Sequence, residues 1–349
     1  MTEIMREDAD ALRAWCMERL ASHQRTALND PLASGVRMLT IDLWDRLANG
    51  DLTHDDLSAL GKSISDEALA ARAARLRGKT RPGEWREAVR EAFAPLEGKT
   101  FAEAASQLAE TRAGVVFTAH PTFALSRTLR DAMGAIASGA TPPDLAGVRH
   151  APDASISLLD EHEDVQGAIA RAQASFRNLF AACFDWLEAH YPAEWTKARP
   201  ALLSLATWVG YDLDGRTDIH WGTTIRLRLE EKALQLFRYA RTLASLPGCE
   251  ELADETGEAG EEAAEQAACF AGDFDDPAVI VAAANRLTDF RPGRITSLAD
   301  VKRRINELID RADPATKKSL CILRAEMDCC GLGVARIHLR VNAAQIRSA

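Results

Sequence analysis

Residues 114–122 read GVVFTAHPT, and this stretch decides the fold class of the chain. A short apolar run with β-branched residues ends abruptly at His120, which Pro121 follows. The sequence on both sides is helical in character. A buried strand that delivers one polar residue to a site at its C-terminal end has this pattern. His120 is therefore the first candidate for a functional residue.

Two more short apolar runs interrupt the helical sequence, at residues 202–210 (LLSLATWVG) and 333–341 (GVARIHLRV). Each leads into a cluster of polar residues, and long helical stretches separate the three runs. Strands that alternate with helices pair in parallel through crossover connections. The sequence thus predicts a mainly α-helical fold with a few parallel strands.

The helical part of the sequence contains one clear stripe of apolar residues and two segments of unusual composition. Apolar residues recur at helical spacing between about 160 and 190, which predicts a core-facing helix without chemistry of its own. Residues 138–157 are rich in glycine and proline and predict a surface loop. Residues 249–266 are strongly acidic and predict a solvated helix or a mobile connection. The stripe consists of Val165, Ile169, Ala172, Phe176, Leu179, Cys183 and Leu187.

Composition excludes several classes of protein. The chain has 349 residues, 47% of them hydrophobic, and a formal net charge of -10. This acidic balance argues against binding to nucleic acid or to an anionic membrane surface, and no apolar run approaches the length that spans a bilayer. The seven cysteines include no Cys-x-x-Cys pair, so a disulfide framework is not expected and a reducing cytoplasm is.

His120 and Arg127 form the first candidate pair. Pro121 restrains the backbone beside His120, and an imidazole near neutral pH can donate, accept or carry a proton. Arg127 lies seven residues further on, and we expect it two turns into the next helix, on the face that approaches the strand ends. A lone histidine is as readily a structural residue, so both interpretations of His120 stay open on this pattern.

Asp212, Asp214 and Gly215 form the second candidate. Two carboxylates before a glycine can bind a cation or orient basic side chains, although an Asp-Gly turn explains the spacing better. An EF-hand is excluded, because Gly210 and Trp221 occupy its first and last ligand positions.

Arg340 ends the third apolar run. The planar guanidinium of an arginine suits a phosphate or a carboxylate, and a surface ion pair is the alternative.

The three runs together resemble a known family. Residues 117–122 (FTAHPT) resemble the Thr-Ala-His-Pro-Thr signature of phosphoenolpyruvate carboxylases, and residues 208–216 (WVGYDLDGR) resemble its Trp-Met-Gly-Gly-Asp-Arg-Asp-Gly-Asn segment. Residues 335–340 (ARIHLR) are similar to its Leu-Asp-Ile-Arg strand. The order and approximate spacing agree, so the resemblance spans nearly the whole chain but only the front part of the family's enzymes.

The resemblance implies a fold and a reaction. It makes residues 1–349 the N-terminal portion of a helix-rich, TIM-like α/β barrel that is incomplete in this chain, with a helical leader at 1–110 and the first three barrel strands within 111–349. It implies the conversion of phosphoenolpyruvate and bicarbonate to oxaloacetate and phosphate in the cytoplasm. The complete enzymes use Mg²⁺ or Mn²⁺ and are usually tetramers. Their metal ligands lie in the part that this chain lacks, so we expect the isolated chain to be a fragment without activity.

The resemblance also assigns roles to the candidate residues. His120 matches the essential histidine of the family, and Arg340 matches an arginine near the phosphate of phosphoenolpyruvate. Asp212 and Asp214 match the second motif, and Arg127 would support the substrate. The sequence departs from the family pattern at Tyr211 (for glycine), Leu213 (for arginine), Arg216 with Thr217 (for Asn-Pro) and His338 (for aspartate).

Two alternative functions belong to other classes. The chain could be a non-catalytic helical protein, derived from the family, that binds a partner or regulates. A small metal hydrolase built on His120, Asp212 and Asp214 is weaker, because no spacing of metal ligands supports it.

Overall fold

The computed structural model describes residues 8–30, 32–81, 83–118, 125–145, 147–153, 156–212, 219–291, 293–338 and 347. The predicted fold class is confirmed: the protein is mainly helical, with one small sheet of parallel strands. The chain divides into two compact units. One comprises residues 1–85 and 121–154, and the other comprises residues 86–120 and 155–349. The boundary that the sequence suggests at residue 110 stays a prediction.

The first unit is helical. Its helices are α1 (Ala9–Ala27), α2 (Gly35–Asn49), α3 (His54–Thr80) and α6 (Arg127–Ser138). Helices α1 and α2 pack together, and α3 packs against both α1 and α6. A small apolar cluster around Leu12, Leu52 and Leu60 lies among the first three helices.

Polar contacts join these helices. The Asp42 carboxylate on α2 accepts a hydrogen bond from Arg19 on α1 at 2.8 Å, and it lies 2.6 Å from His23 Nε2. The hydrogen bond to His23, followed by the contact with Arg19, lowers the pKa of Asp42 below its ordinary value. His150 Nε2, from the segment after α6, lies 2.6 Å from the Asp66 carboxylate on α3.

The second unit contains the sheet and the main core. Its strands are β1 (Ala113–Phe117), β2 (Leu203–Thr207) and β3 (Arg336–Ile337). The helices are α4 (Trp85–Phe93), α5 (Phe101–Leu108), α7 (Leu158–His190), α8 (Trp221–Ala244), α9 (Glu250–Ala268), α10 (Pro277–Thr288), α11 (Ala299–Arg311) and α12 (Pro314–Cys330). Helix α7 contacts β1, and α12 contacts β2.

The sheet has the order β1-β2-β3, and both pairs of strands are parallel. β2 and β3 lie within the predicted apolar runs and β1 begins one residue before its run, although β3 pairs over only two residues. The prediction of a buried strand is wrong for β1, where Val115 and Val116 are 42% and 43% exposed, because β1 is the edge strand of the described sheet. Phe117 is in register with Thr207, and Thr207 is in register with Ile337. The three strands therefore end at the same level, and the segments that follow them start from one edge of the sheet.

Helix α7 is the core-facing helix that the sequence predicts. It begins after the capping residue Ser157, whose hydroxyl accepts a hydrogen bond from the Asp160 backbone while the Asp160 side chain returns a contact to Ser157. Ile169, Cys183 and Leu187 of the predicted stripe are fully buried. All stripe residues except Leu179 pack into or against the main apolar core, together with residues of α11, α12 and β2.

The acidic segment 249–266 forms most of α9, so the prediction of a helix is confirmed and the alternative of a mobile connection is wrong. Small residues give α9 a buried face against α8, while its glutamates lie mostly on the other side. Gly260 permits this close packing, because a Cβ there would lie 2.7 Å from the Phe237 ring. Among the described residues, no helix combines the length and the apolar character that crossing a bilayer requires.

Candidate functional site

The candidate site lies where β2 ends, at the edge of the sheet from which the predicted motifs start. Asp212 follows β2 by five residues and is half-buried. His120, Asp214 and Arg340 lie outside the described residues, so their predicted roles stay predictions. In the sequence, His120 and Arg340 each come three residues after the last residue of a strand, Phe117 and Ile337.

The chain leaves β2 through a tight turn. Thr207 is buried, and its side-chain hydroxyl accepts a hydrogen bond from the Val209 backbone at 3.1 Å. Its carbonyl accepts one from the His338 backbone at 2.9 Å, which extends the contact with β3. The backbone N–H of Tyr211 then donates to the carbonyl of Trp208 at 2.9 Å and closes the turn.

Gly210 is required in this turn. Its φ is +89°, a conformation that residues with a Cβ rarely adopt. A Cβ at this position would also lie 2.5 Å from Leu227 Cδ1 on α8. The Thr224 hydroxyl, in the first turns of α8, donates to the Gly210 carbonyl at 3.2 Å. The exit of β2 is thus held directly on α8.

A buried carboxylate lies next to this exit. Glu231 on α8 is fully enclosed. Its Oε1 accepts a hydrogen bond from Gln166 at 3.1 Å and lies 3.1 Å from His162 Nε2, both on α7. Its Oε2 accepts a hydrogen bond from Arg228 at 3.0 Å. A buried charge is costly unless it is paired and hydrogen-bonded, and these three side chains meet that requirement.

Tyr211 joins this network from the exit of β2. Only 2% of its surface is exposed, and its hydroxyl has no hydrogen-bond partner among the described residues. Burial raises the pKa of Tyr211 far above its ordinary value, and the nearby negative charge of Glu231 raises it further. The phenol is therefore a neutral hydrogen-bond donor at any physiological pH.

The Arg228 guanidinium, which donates to Glu231, lies against Gly333 in the segment before β3. A Cβ at Gly333 would collide with the Arg228 guanidinium, so glycine at this position leaves room for the side chain in its described place. The guanidinium side chain is 40% exposed, whereas the Glu231 side chain is 0% exposed. The Arg228–Glu231 pair thus connects the interior of the unit with its surface. Together, the contacts of Glu231, Tyr211 and Arg228 form one network that links α7, α8, the exit of β2 and the segment before β3.

The predictions made from the sequence do not include this network. The sequence carries one signal of it: polar residues interrupt the apolar stripes of two helices. They are His162 and Gln166 on α7, and Glu231 between Leu229 and Ala233 on α8. Helical periodicity places such residues on a buried face. It does not show that they meet.

Arg127 belongs to the first unit, and its predicted place in a helix is wrong. It is the first residue of α6 and not two turns into it. The Ser126 hydroxyl accepts a hydrogen bond from the Leu129 backbone, which starts the helix at this point. The backbone N–H of Arg127 donates to the Asp153 carboxylate at 2.8 Å, so an acidic side chain occupies the start of this helix.

Metal binding has no support in the described part of the chain. No group of three or more His, Cys, Asp or Glu side chains there converges in a way that could hold an ion. The Glu231 network contains one carboxylate and one imidazole, and its carboxylate oxygens are already engaged by Gln166, His162 and Arg228.

Comparison with models of known protein families finds none that matches this chain. Comparison with curated proteins finds no match either.

Proposed function

We propose that this chain is the N-terminal portion of a divergent phosphoenolpyruvate carboxylase and supplies part of the site at which phosphoenolpyruvate and bicarbonate react. The observation that carries the proposal is the sheet. Three parallel strands are neighbours in chain order; β1 runs into the first segment that resembles the family, β2 directly precedes the second, and β3 lies within the third. The proposal rests on this strand order together with the three motifs.

The same observation supports a TIM-like barrel. In such a barrel, consecutive strands lie side by side in parallel, helices connect them, and the functional residues follow the C-terminal ends of the strands. The order β1-β2-β3 with helical crossovers fits the first three strands of this arrangement. In this proposal the remaining strands come from sequence beyond these three.

The proposed reaction begins with attack of a bicarbonate oxygen on the phosphorus of phosphoenolpyruvate, which breaks the bond to the enol oxygen. Carboxyphosphate and an enolate result. Carboxyphosphate then releases carbon dioxide and phosphate, and the enolate carbon attacks carbon dioxide to form oxaloacetate. Both substrates are anions, so cationic groups must offset their repulsion.

In this proposal His120 handles a proton or stabilises the carboxyphosphate, and Arg340 binds the phosphate in a bidentate manner. Asp212 and Asp214 orient the basic side chains. The described residues do not fit the Mg²⁺ or Mn²⁺ of the complete enzymes, so none of them is assigned to a metal. We therefore expect the isolated chain to be inactive, and in its complete form to act in the cytoplasm as a tetramer.

A coupled assay tests the proposal. Oxaloacetate formation is followed through malate dehydrogenase, first with the 349-residue chain and then with the C-terminal part of a phosphoenolpyruvate carboxylase added as a second polypeptide. We expect no turnover from the chain alone and turnover from the mixture. The variant His120→Asn should abolish that turnover, while His54→Asn, a change on α3 in the first unit, should not. Turnover by the chain alone would contradict the expected inactivity.

A non-catalytic, partner-binding role is the second candidate, because α2 exposes a row of apolar side chains. Val36, Ile41 and Trp44 are between 50% and 68% exposed, and exposed apolar clusters mark interaction surfaces. This candidate is favoured if the mixture is equally active with wild-type and His120→Asn chains while Ile41→Ser/Trp44→Ser abolishes the activity. Activity that depends on His120 would rule against it.

A further inference from the structure

The contact between α7 and α8 in the second unit is a seam of polar side chains in an otherwise apolar interior. Near the exit of β2, His162 and Gln166 meet Glu231. Two turns further along α7 and one turn further along α8, Gln173 donates to Gln235 at 3.0 Å and to the Val334 carbonyl at 2.6 Å. Glu231, Gln173 and Gln235 are all at least 94% buried.

The two layers of this seam differ in charge. Gln173 and Gln235 join the helices with neutral amides, which shows that helix packing needs no ionised group here. The Glu231 layer uses a carboxylate, although taking a carboxylate out of water costs several kcal/mol before any pairing. The carboxylate lies in the layer next to the exit of β2, which indicates that its role concerns that exit.

Glu231 has two routes to the exit. The first is His162, whose Nε2 lies 3.1 Å from Glu231 Oε1 and whose Cδ2 would lie 3.6 Å from a Cβ at Gly210. The second is Tyr211, whose phenol is buried within reach of the Glu231 charge and whose hydroxyl has no hydrogen-bond partner among the described residues. A buried donor without a partner is costly, so the fold retains this hydroxyl at a cost.

We propose that Glu231 is a positioning residue that fixes residues 210–212 at the exit of β2, through His162 and Tyr211, and so holds Asp212 where it orients the basic side chains that bind phosphoenolpyruvate. The part that concerns the ligand rests on the proposed function. The positioning itself rests on the hydrogen bonds, burial and glycine contacts of the network. Glu231 does not touch the ligand in this proposal, so it is not a catalytic residue.

Fluorine NMR on the 349-residue chain tests this role. The chain has three tyrosines, so labelling with 3-fluorotyrosine gives three signals. Tyr191→Phe and Tyr239→Phe each remove one signal, and the signal that remains in both belongs to Tyr211. Glu231→Gln removes the charge and keeps the shape. Glu230→Gln is the matched control, because Glu230 is the neighbouring residue on α8 and pairs with Arg226 at the surface at 2.8 Å.

We expect the Tyr211 signal of the ligand-free chain to move in Glu231→Gln and to stay in place in Glu230→Gln. Phosphoenolpyruvate should shift the Tyr211 signal in the wild type and in the control. In Glu231→Gln the same response should need up to about a hundredfold more phosphoenolpyruvate, the order of loss expected when a functional segment is misplaced.

Two results separate this inference from the proposed function. If the ligand-free Tyr211 signal is the same in Glu231→Gln and Glu230→Gln, Glu231 does not position the exit, and the inference is overturned whatever the ligand does. If phosphoenolpyruvate moves no signal in the wild type, the proposed function loses its support and the ligand part of the inference is overturned with it.

A double variant tests the inference in the case that Glu231→Gln does not fold. Glu231→Gln/Arg228→Gln removes both charges and imitates the neutral layer of Gln173 and Gln235, so it should fold where the single variant does not. Its Tyr211 signal should move as in Glu231→Gln. An unchanged signal would overturn the inference.

Discussion

Gly210 shows at the scale of one residue how the exit of β2 is built. Its φ of +89° and the 2.5 Å approach of Leu227 to a Cβ at this position leave room only for glycine. Gly210→Ala should therefore lower the free energy of unfolding by about 2–3 kcal/mol, the combined cost of a disallowed φ and of overpacking. Urea denaturation measures this loss.

The matched control for Gly210 is Gly257→Ala, within α9. There a Cβ would meet only Ala240, at the ordinary contact distance of 3.9 Å. This variant should raise the free energy of unfolding by about 0.5–1 kcal/mol, because alanine favours a helix more than glycine does. Equal losses in both variants would contradict the described turn.

Tyr211 and Tyr239 are both almost fully buried, but their hydroxyls differ. The Tyr239 hydroxyl donates to the Gly331 carbonyl at 2.9 Å, whereas the Tyr211 hydroxyl has no partner among the described residues. Tyr239→Phe should therefore cost about 1–2 kcal/mol, while Tyr211→Phe should be neutral or stabilise by up to about 1 kcal/mol. Denaturant unfolding at pH 7 compares them, and an equal cost in both would mean that the Tyr211 hydroxyl is also satisfied.

At the scale of elements, Asp42 makes the stability of the first unit depend on pH in the acid range, because its carboxylate joins α1 to α2. Its pKa in the folded state is lowered by the hydrogen bond to His23 and by Arg19. The unfolded chain therefore binds the proton more readily, with a pKa of about 3.9. Asp42 stabilises the first unit above that pH and loses its effect as the pH falls through the folded value.

The expected result is a melting temperature that falls less steeply below about pH 5 in Asp42→Asn than in the wild type. Asp45→Asn, on the same helix, is the control, since Asp45 forms no ion pair with any described residue. It should keep the wild-type slope. Circular dichroism melts at several pH values measure all three proteins, and parallel curves for Asp42→Asn and the wild type would disprove the linkage.

Elements with a strong local pattern could be predicted. The apolar spacing of α7 and the short apolar runs of β1 and β2 are visible within a few residues. The length of β3 and the start of α6 could not be predicted. β3 pairs only where β2 offers a partner, and Arg127 begins α6 because Ser126 caps it there. The buried face of α9 was hidden by its acidic composition, since alanine and glycine supply that face.

The core of the second unit carries much of the stability of the whole molecule. Phe184 on α7 is fully buried in it, whereas Phe290, after α10, is 93% exposed. Phe184→Ala should lower the free energy of unfolding by about 3–5 kcal/mol, and Phe290→Ala should change it by less than about 0.5 kcal/mol. Thermal and urea denaturation of the two variants measure the difference, and similar losses would contradict the described core.

The sequence by itself determined the fold class, the places of the strands and the main core-facing helix, because each depends on the spacing of apolar residues along a short segment. It also determined the chemical types of the candidate residues, of which His120, Asp214 and Arg340 lie outside the described structure. Only the tertiary structure decided that Glu231 meets His162, 69 positions away in the chain, and that Gly333 makes room for Arg228. The physical reason is that burial and hydrogen bonding between distant segments depend on how helices and strands pack, and local periodicity does not specify that packing.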